Sequence, residues 1–138
     1  MNTSKMKSIL KPVTLTILAL TIAHAANAKS NPQSTKEVDI SISDAFIPGG
    51  FDSDADSYVV VNGVYPNGCY RWLRSEVVDK DNFNHDIKAV ASVSQGLCIM
   101  VLVPFNHDVH LGKLASGEHT LNFLNGDGTY LQKTLKIE

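Results

Sequence analysis

The stretch with the most evident chemical potential is Asp52-Ser53-Asp54-Ala55-Asp56-Ser57, three carboxylates at alternate positions. Carboxylates so spaced on a loop can converge on Ca²⁺, a hard cation that takes oxygen ligands. An EF-hand loop counted from Asp52 needs glycine at its sixth position and glutamate at its twelfth, where this chain has Ser57 and Gly63, so that motif is absent. The expectation is a solvated loop whose aspartates accept hydrogen bonds from nearby amides. A calcium site on Asp52, Asp54 and Asp56 is the weaker alternative. His107 and His110 flank Asp108 and raise zinc or copper. Histidines three apart share a face on a helix but point to opposite sides of a strand. A cupredoxin-like set wants Cys, His and Met in a characteristic close spacing, and Cys98 and Met100 stand on the wrong side of these histidines. Surface histidines are the expectation, with no metal and no cofactor.

Nucleophilic catalysis has no spacing to support it. There is no G-x-S-x-G elbow, and serines, histidines and aspartates without a recognisable arrangement do not make a triad. Paired carboxylates for glycoside hydrolysis depend on a distance that sequence does not encode. The expectation is a non-enzymatic module that binds another protein or an envelope component. Two stretches could do so. Tyr70, Trp72 and Arg74, near Tyr65, have the composition of an interface hot spot and also suit stacking on sugar rings. If Cys69, Leu73 and Val77 face a core, alternation puts these three outside; a bulge would reverse the parity and bury the two aromatics. Phe46-Ile47-Pro48-Gly49-Gly50-Phe51 is the second, a loop whose apolar tips could enter an enzyme cleft in the manner of an inhibitor.

The beginning of the chain has another character. Lys5, Lys7 and Lys11 precede the uncharged stretch Val13–Ile22, and small residues follow with Ala-x-Ala spacing at Ala23/Ala25 and Ala26/Ala28. This is the pattern of a cleaved secretory signal peptide over residues 1–28. The apolar run is about half of the ~20 residues that span a bilayer, so no membrane span is expected. The protein is therefore expected to be exported, to the periplasm or the medium. Residues 29–35 read as a flexible polar leader and 36–138 as one domain. From Lys29 onward nine Lys and Arg face 14 Asp and Glu, a net −5, which gives no general attraction to nucleic acid or to anionic lipid. In an oxidising compartment Cys69 and Cys98 are candidates for a structural disulfide; two buried thiols or a redox pair are the alternatives, the latter disfavoured because the spacing is far from C-x-x-C.

The elements that must position these residues read as strands. Val38, Ile40 and Ile42 alternate with polar neighbours, Tyr58–Val64 is rich in β-branched residues, and Cys69–Val78 forms a third candidate. Ile87 to Ser94 alternates again. The run Leu97–Val103, apolar on both faces, reads as a central strand ending at Pro104, and Val109–Leu114 as a short strand. His119–Leu124 and Thr129–Ile137 flank Asn125-Gly126-Asp127-Gly128, a β-hairpin signal. About seven strands without helical periodicity predict an all-β, single antiparallel sandwich, a small barrel being the alternative.

The segments Gly63-Val64-Tyr65-Pro66-Asn67-Gly68-Cys69, Cys98, Val103-Pro104-Phe105 and Val109 to Gly117 together resemble bacterial extracytoplasmic Ig-like modules, with P-x-G-C, a second cysteine and V-x-L-G-x-L-x-x-G. The resemblance covers about residues 36–138. It implies an Ig-like β-sandwich and a Cys69–Cys98 bridge, and it implies little about activity, because such sandwiches host many functions. One departure is Trp72, three residues after Cys69, an odd spacing that a regular strand would place on the opposite face.

Overall fold

A computed structural model describes residues 33–138. The signal peptide expected at 1–28 and most of the leader lie outside the described residues. Eight strands build two sheets: β1 (Thr35–Ile40), β2 (Asp44–Phe46), β3 (Ser57–Tyr65), β4 (Tyr70–Asp79), β5 (Asn84–Ser94), β6 (Val103–Gly112), β7 (Gly117–Leu124) and β8 (Tyr130–Ile137). Among the described residues no helix is long and apolar enough to cross a membrane.

In the five-stranded sheet β5 is central. It pairs with β4 on one side; its other side is shared by β1, against residues 89–94, and β7, against residues 84–88. β8 pairs outside β7. The three-stranded sheet has the order β2-β3-β6. All pairs are antiparallel except β5–β7. This is the expected all-β sandwich, with one strand more than the seven anticipated and one parallel pair. That pair arises because β1 and β7, which run in opposite directions, share one edge of β5.

Alternation builds the core. In β3, Val59 and Val61 point inward, and Ile87, Ala89 and Ala91 answer them from β5; Phe105 and Val109 of β6 and Leu121, Phe123, Leu135 and Ile137 of the hairpin complete the cluster. Each large side chain so buried contributes about 1.5–3 kcal/mol. Gly63 cannot carry a side chain: a Cβ there would lie 2.5 Å from the Phe105 ring. The expected hairpin is present. The Asn125 amide donates to the Thr129 carbonyl (2.9 Å), and Asn125 Oδ1 accepts from the Ile42 amide (2.9 Å), tying the turn to the segment after β1.

Three expectations are corrected. Leu97–Val103 is not a central strand: residues 95–102 form an exposed loop between β5 and β6, and only Val103 enters a strand. An apolar run carries no period, so it cannot distinguish burial between neighbours from a loop displayed to solvent. Val109–Leu114 is no separate strand, since β6 runs from Val103 to Gly112. Cys69 precedes β4 rather than opening it.

Candidate binding end

Both cysteines lie on connections that cross between the sheets, at one end of the sandwich. Cys69 ends the turn from β3 to β4, and Cys98 stands in the β5–β6 loop. They form a disulfide with Cα atoms 5.3 Å apart. Backbone bonds add to it: the Gly68 amide donates to Ile99 O (2.9 Å) and the Ser94 amide to Cys69 O (3.1 Å). The bridge therefore staples loops and is not packed between the sheets. That accounts for the spacing of Trp72, which does not serve it.

The stapled loop turns its apolar side chains outward. Leu97 is fully exposed, and Ile99, Met100 and Leu102 are 73%, 79% and 74% exposed, with Val101 half exposed. Sequence reasoning missed this cluster. Its one available signal was Cys98 inside the run, since a bridge to the turn before β4 draws the segment out of a sheet. Around the loop stand Lys36 and Arg71, and the neighbouring carboxylate Glu37, which pairs with Ser92 in the same row as Arg71, is held by Arg74. Both cations are exposed.

Beside the loop, β4 and β6 are the free edges of their sheets on the same side of the sandwich. Between them lies an open cleft of about 490 Å³ lined by Tyr65, Tyr70, Arg71, Trp72, Pro104 and His107 among others. Trp72 stacks on His107 with centroids 4.3 Å apart, and Tyr65 stacks on Tyr70 (5.8 Å) and on Phe105 (4.6 Å). Burial pushes the His107 imidazole below its ordinary value and the Tyr65 phenol above its own. Tyr65 is 5% exposed, and its hydroxyl has no hydrogen-bond partner.

The cleft holds together only part of the expected surface. Leu73 is a bulge: Trp72 pairs with Ala91 and Arg74 with Val90. Tyr70 and Trp72 consequently pack half-buried against the core, as do Val77 and the inner end of β4. Arg74 is on the outside, bonded to Glu37 and Glu76 at 2.8 Å each. A single Tyr70–Trp72–Arg74 row is thus corrected, because the extra residue splits the strand into two parities. Phe46 and Phe51 lie toward the other end. Phe46 is 63% exposed, whereas Phe51 packs on the core and meets Tyr58 edge-on at 5.5 Å.

The remaining candidates hold conventional roles. Asp52 Oδ1 accepts from the Asp54 amide (3.0 Å), and Asp56 faces His110 at 3.6 Å. Among the described residues no group of three or more His, Cys, Asp or Glu is placed to hold a metal ion. The expectation of two surface histidines is corrected for one of them: both stand in β6, where His110 points outward and His107 points inward, half-buried against Trp72. A buried pair went unnoticed in the sequence: His85 Nδ1 lies 2.6 Å from Asp79 Oδ1, His85 Nε2 lies 2.9 Å from His119 Nδ1, and His119 Nε2 lies 2.7 Å from the Ala115 carbonyl. This chain ends on a backbone acceptor and ties β4, β5 and β7 together at the end opposite the disulfide.

The family described as the ORF11 beta-sandwich domain matches residues 59–137, from β3 through β8. No curated protein and no solved structure matches the chain.

Proposed function

Because the chain belongs to the ORF11 beta-sandwich domain family, whose description names a fold and no activity, we propose a function from its own surface: an exported, non-enzymatic binding module of the bacterial envelope that engages its partner through the cysteine-stapled end. The observation that carries this reading is the exposure of Leu97, Ile99, Met100, Val101 and Leu102 on one pinned loop. Isolated exposed apolar residues are ordinary, but a contiguous group of them marks an interaction site. The pinning matters as much as the exposure, since a loop already held by a disulfide loses less conformational freedom on binding. The adjoining cleft adds aromatic rims on which a partner side chain or ring can stack.

Export, a bacterial source and the periplasmic or secreted location rest on the character of residues 1–28 and on the Ig-like resemblance. A disulfide placed to shape a surface loop suits an oxidising compartment. The inhibitor-like alternative has less to offer, because Ile47 and Phe51 pack on the core and only Phe46 presents an apolar tip. Against the calcium alternative, no group of three or more His, Cys, Asp or Glu among the described residues is placed to hold a metal ion.

The test is capture from envelope extract by the exported protein, beside an Ile99→Ser/Met100→Ser/Leu102→Ser variant with an unchanged melting temperature. Loss of the captured component in the variant is the expected result. Equal capture by both forms would remove the loop from the binding surface and sink the reading.

A further inference from the structure

We infer that the surface engaged by the stapled end is a lipid bilayer, with Leu97, Ile99, Met100, Val101 and Leu102 seated at the boundary between headgroups and acyl chains. This rests on the reading of that end as the binding site and names what it binds.

The first argument is shape. Residues 95–102 form a projection of eight residues, whereas a stable protein interface takes about 20–30 residues a side. A projection needs a matching pocket in a protein partner, but a fluid bilayer closes around it. The second is side-chain type. Apart from the bridged Cys98, residues 97–102 carry only aliphatic and thioether side chains, without the Trp, Tyr or Arg that anchor protein hot spots. Beside it, half-buried Tyr70 and Trp72 line the cleft, and amphipathic rings of these types are enriched at membrane interfaces.

The third argument is the distribution of charge. The domain as a whole is acidic and gains no long-range attraction to anionic lipid. At physiological ionic strength, however, charges farther than about 8 Å are largely screened. At the stapled end Lys36 and Arg71 are exposed, and the neighbouring carboxylate, Glu37 in the Arg71–Ser92 row, is already paired with Arg74 at 2.8 Å. An apolar tip with a cationic rim is the arrangement that suits an interface of apolar chains beneath anionic headgroups.

Depth follows from the backbone. The loop is irregular, and its internal pairing among the backbone bonds is Val101 N to Ile99 O (3.0 Å), with Gly68 N joining Ile99 O from the neighbouring turn. Unpaired amides and carbonyls cannot enter hydrocarbon, so the side chains dip in while the main chain stays among headgroups and water. The described chain also enters the domain here: Gln95 donates its amide to Ser34 O (3.0 Å).

The experiment is flotation of the exported protein, its N-terminus fixed by mass spectrometry, with vesicles of phosphatidylethanolamine and phosphatidylglycerol and with phosphatidylcholine alone. The expected result is binding to the mixed vesicles that weakens roughly tenfold or more in Ile99→Ser/Met100→Ser/Leu102→Ser, and less in Lys36→Gln/Arg71→Gln. Met100→Ser alone, at a site 79% exposed, serves if the triple variant loses its fold, and it should weaken binding in the same direction. Flotation that is absent, or identical in the loop variants, overturns the inference. So does loss in the charge variant alone, which would be electrostatic adsorption. If vesicles fail while envelope extract still yields a loop-dependent protein partner, the binding reading stands and the lipid does not; if both fail, both fall.

Discussion

His107 illustrates what a single side chain gains from its place in this fold. It points inward from an edge strand and lies flat against Trp72 at 4.3 Å, which shields it from water and disfavours its charged form. Burial sets its pKa below the ordinary 6.5, opposed by the nearby Asp108 carboxylate. The folded protein therefore binds this proton less tightly than the unfolded chain does. The corresponding stability is fully present above pH ~6.5 and is lost as the pH falls through the unfolded value toward the folded one. A histidine titration followed by NMR should find His107 below the ordinary value. In Trp72→Ala the imidazole is uncovered, so its pKa should rise toward 6.5. Stability should fall by about 2 kcal/mol, less than the ~3–5 of a fully buried tryptophan, because Trp72 is half-exposed. An unmoved pKa would mean that the desolvation comes from elsewhere. Asp44, Asp81 and Asp127 work on the acid side: hydrogen bonds from Lys133, the Phe83 amide and Thr129, respectively, hold their carboxyls below the usual range. Their contribution is present above pH ~3.8 and is lost as the pH falls through their lower folded values.

At the scale of the element, β4 turns on Leu73. With this residue bulged, Tyr70 and Trp72 before it share the inner side with Ser75 and Val77 after it, although the two sets differ in parity. Removing Leu73 should therefore leave every inward residue inward. The deletion is expected to fold and to change stability by no more than about 1 kcal/mol, while the straightened edge becomes prone to self-association at high concentration. Removing Arg71 instead turns Tyr70 outward, breaks its stack on Tyr65 and should cost about 2 kcal/mol or more. Urea unfolding of the two deletions decides the matter; equal losses would mean that the bulge is not what sets the parity. The same strand shows what a sequence can convey. The β7–β8 hairpin was legible because Asn125-Gly126-Asp127-Gly128 separates two alternating runs, a signal wholly local. The bulge was not, because an extra residue in a strand has no residue type of its own, so Tyr70 and Trp72 could be read as facing either way. The loop at 97–102 was misread for a related reason: hydrophobicity without a period states a preference for leaving water but not where the chain can satisfy it.

For the whole molecule, the disulfide governs how the two sheets are joined. The chain passes from the small sheet to the large one through the turn at Cys69, and it returns through the loop at Cys98. One bond thus clamps two crossings at the end that displays the apolar loop, while the buried His85–His119 pair ties strands at the other end. A sequence separation of 29 corresponds to about 3–4 kcal/mol of denatured-state constraint in the chain-entropy description. Domains of this size have total stabilities of about 5–15 kcal/mol, so the fold should survive without the bond, with a melting temperature lower by about 20 °C. Cys69→Ala/Cys98→Ala and the reduced wild type should melt together, which would assign the loss to the bond rather than to the sulfurs' packing. Loop function should respond differently. Freed from the turn before β4, residues 95–102 can fold their apolar side chains back against the cleft of Tyr70 and Trp72, so binding by the stapled end should weaken even at temperatures where both forms are fully folded. A double-alanine form that melts lower yet binds as the wild type does would show that the loop keeps its outward shape through its backbone bonds alone.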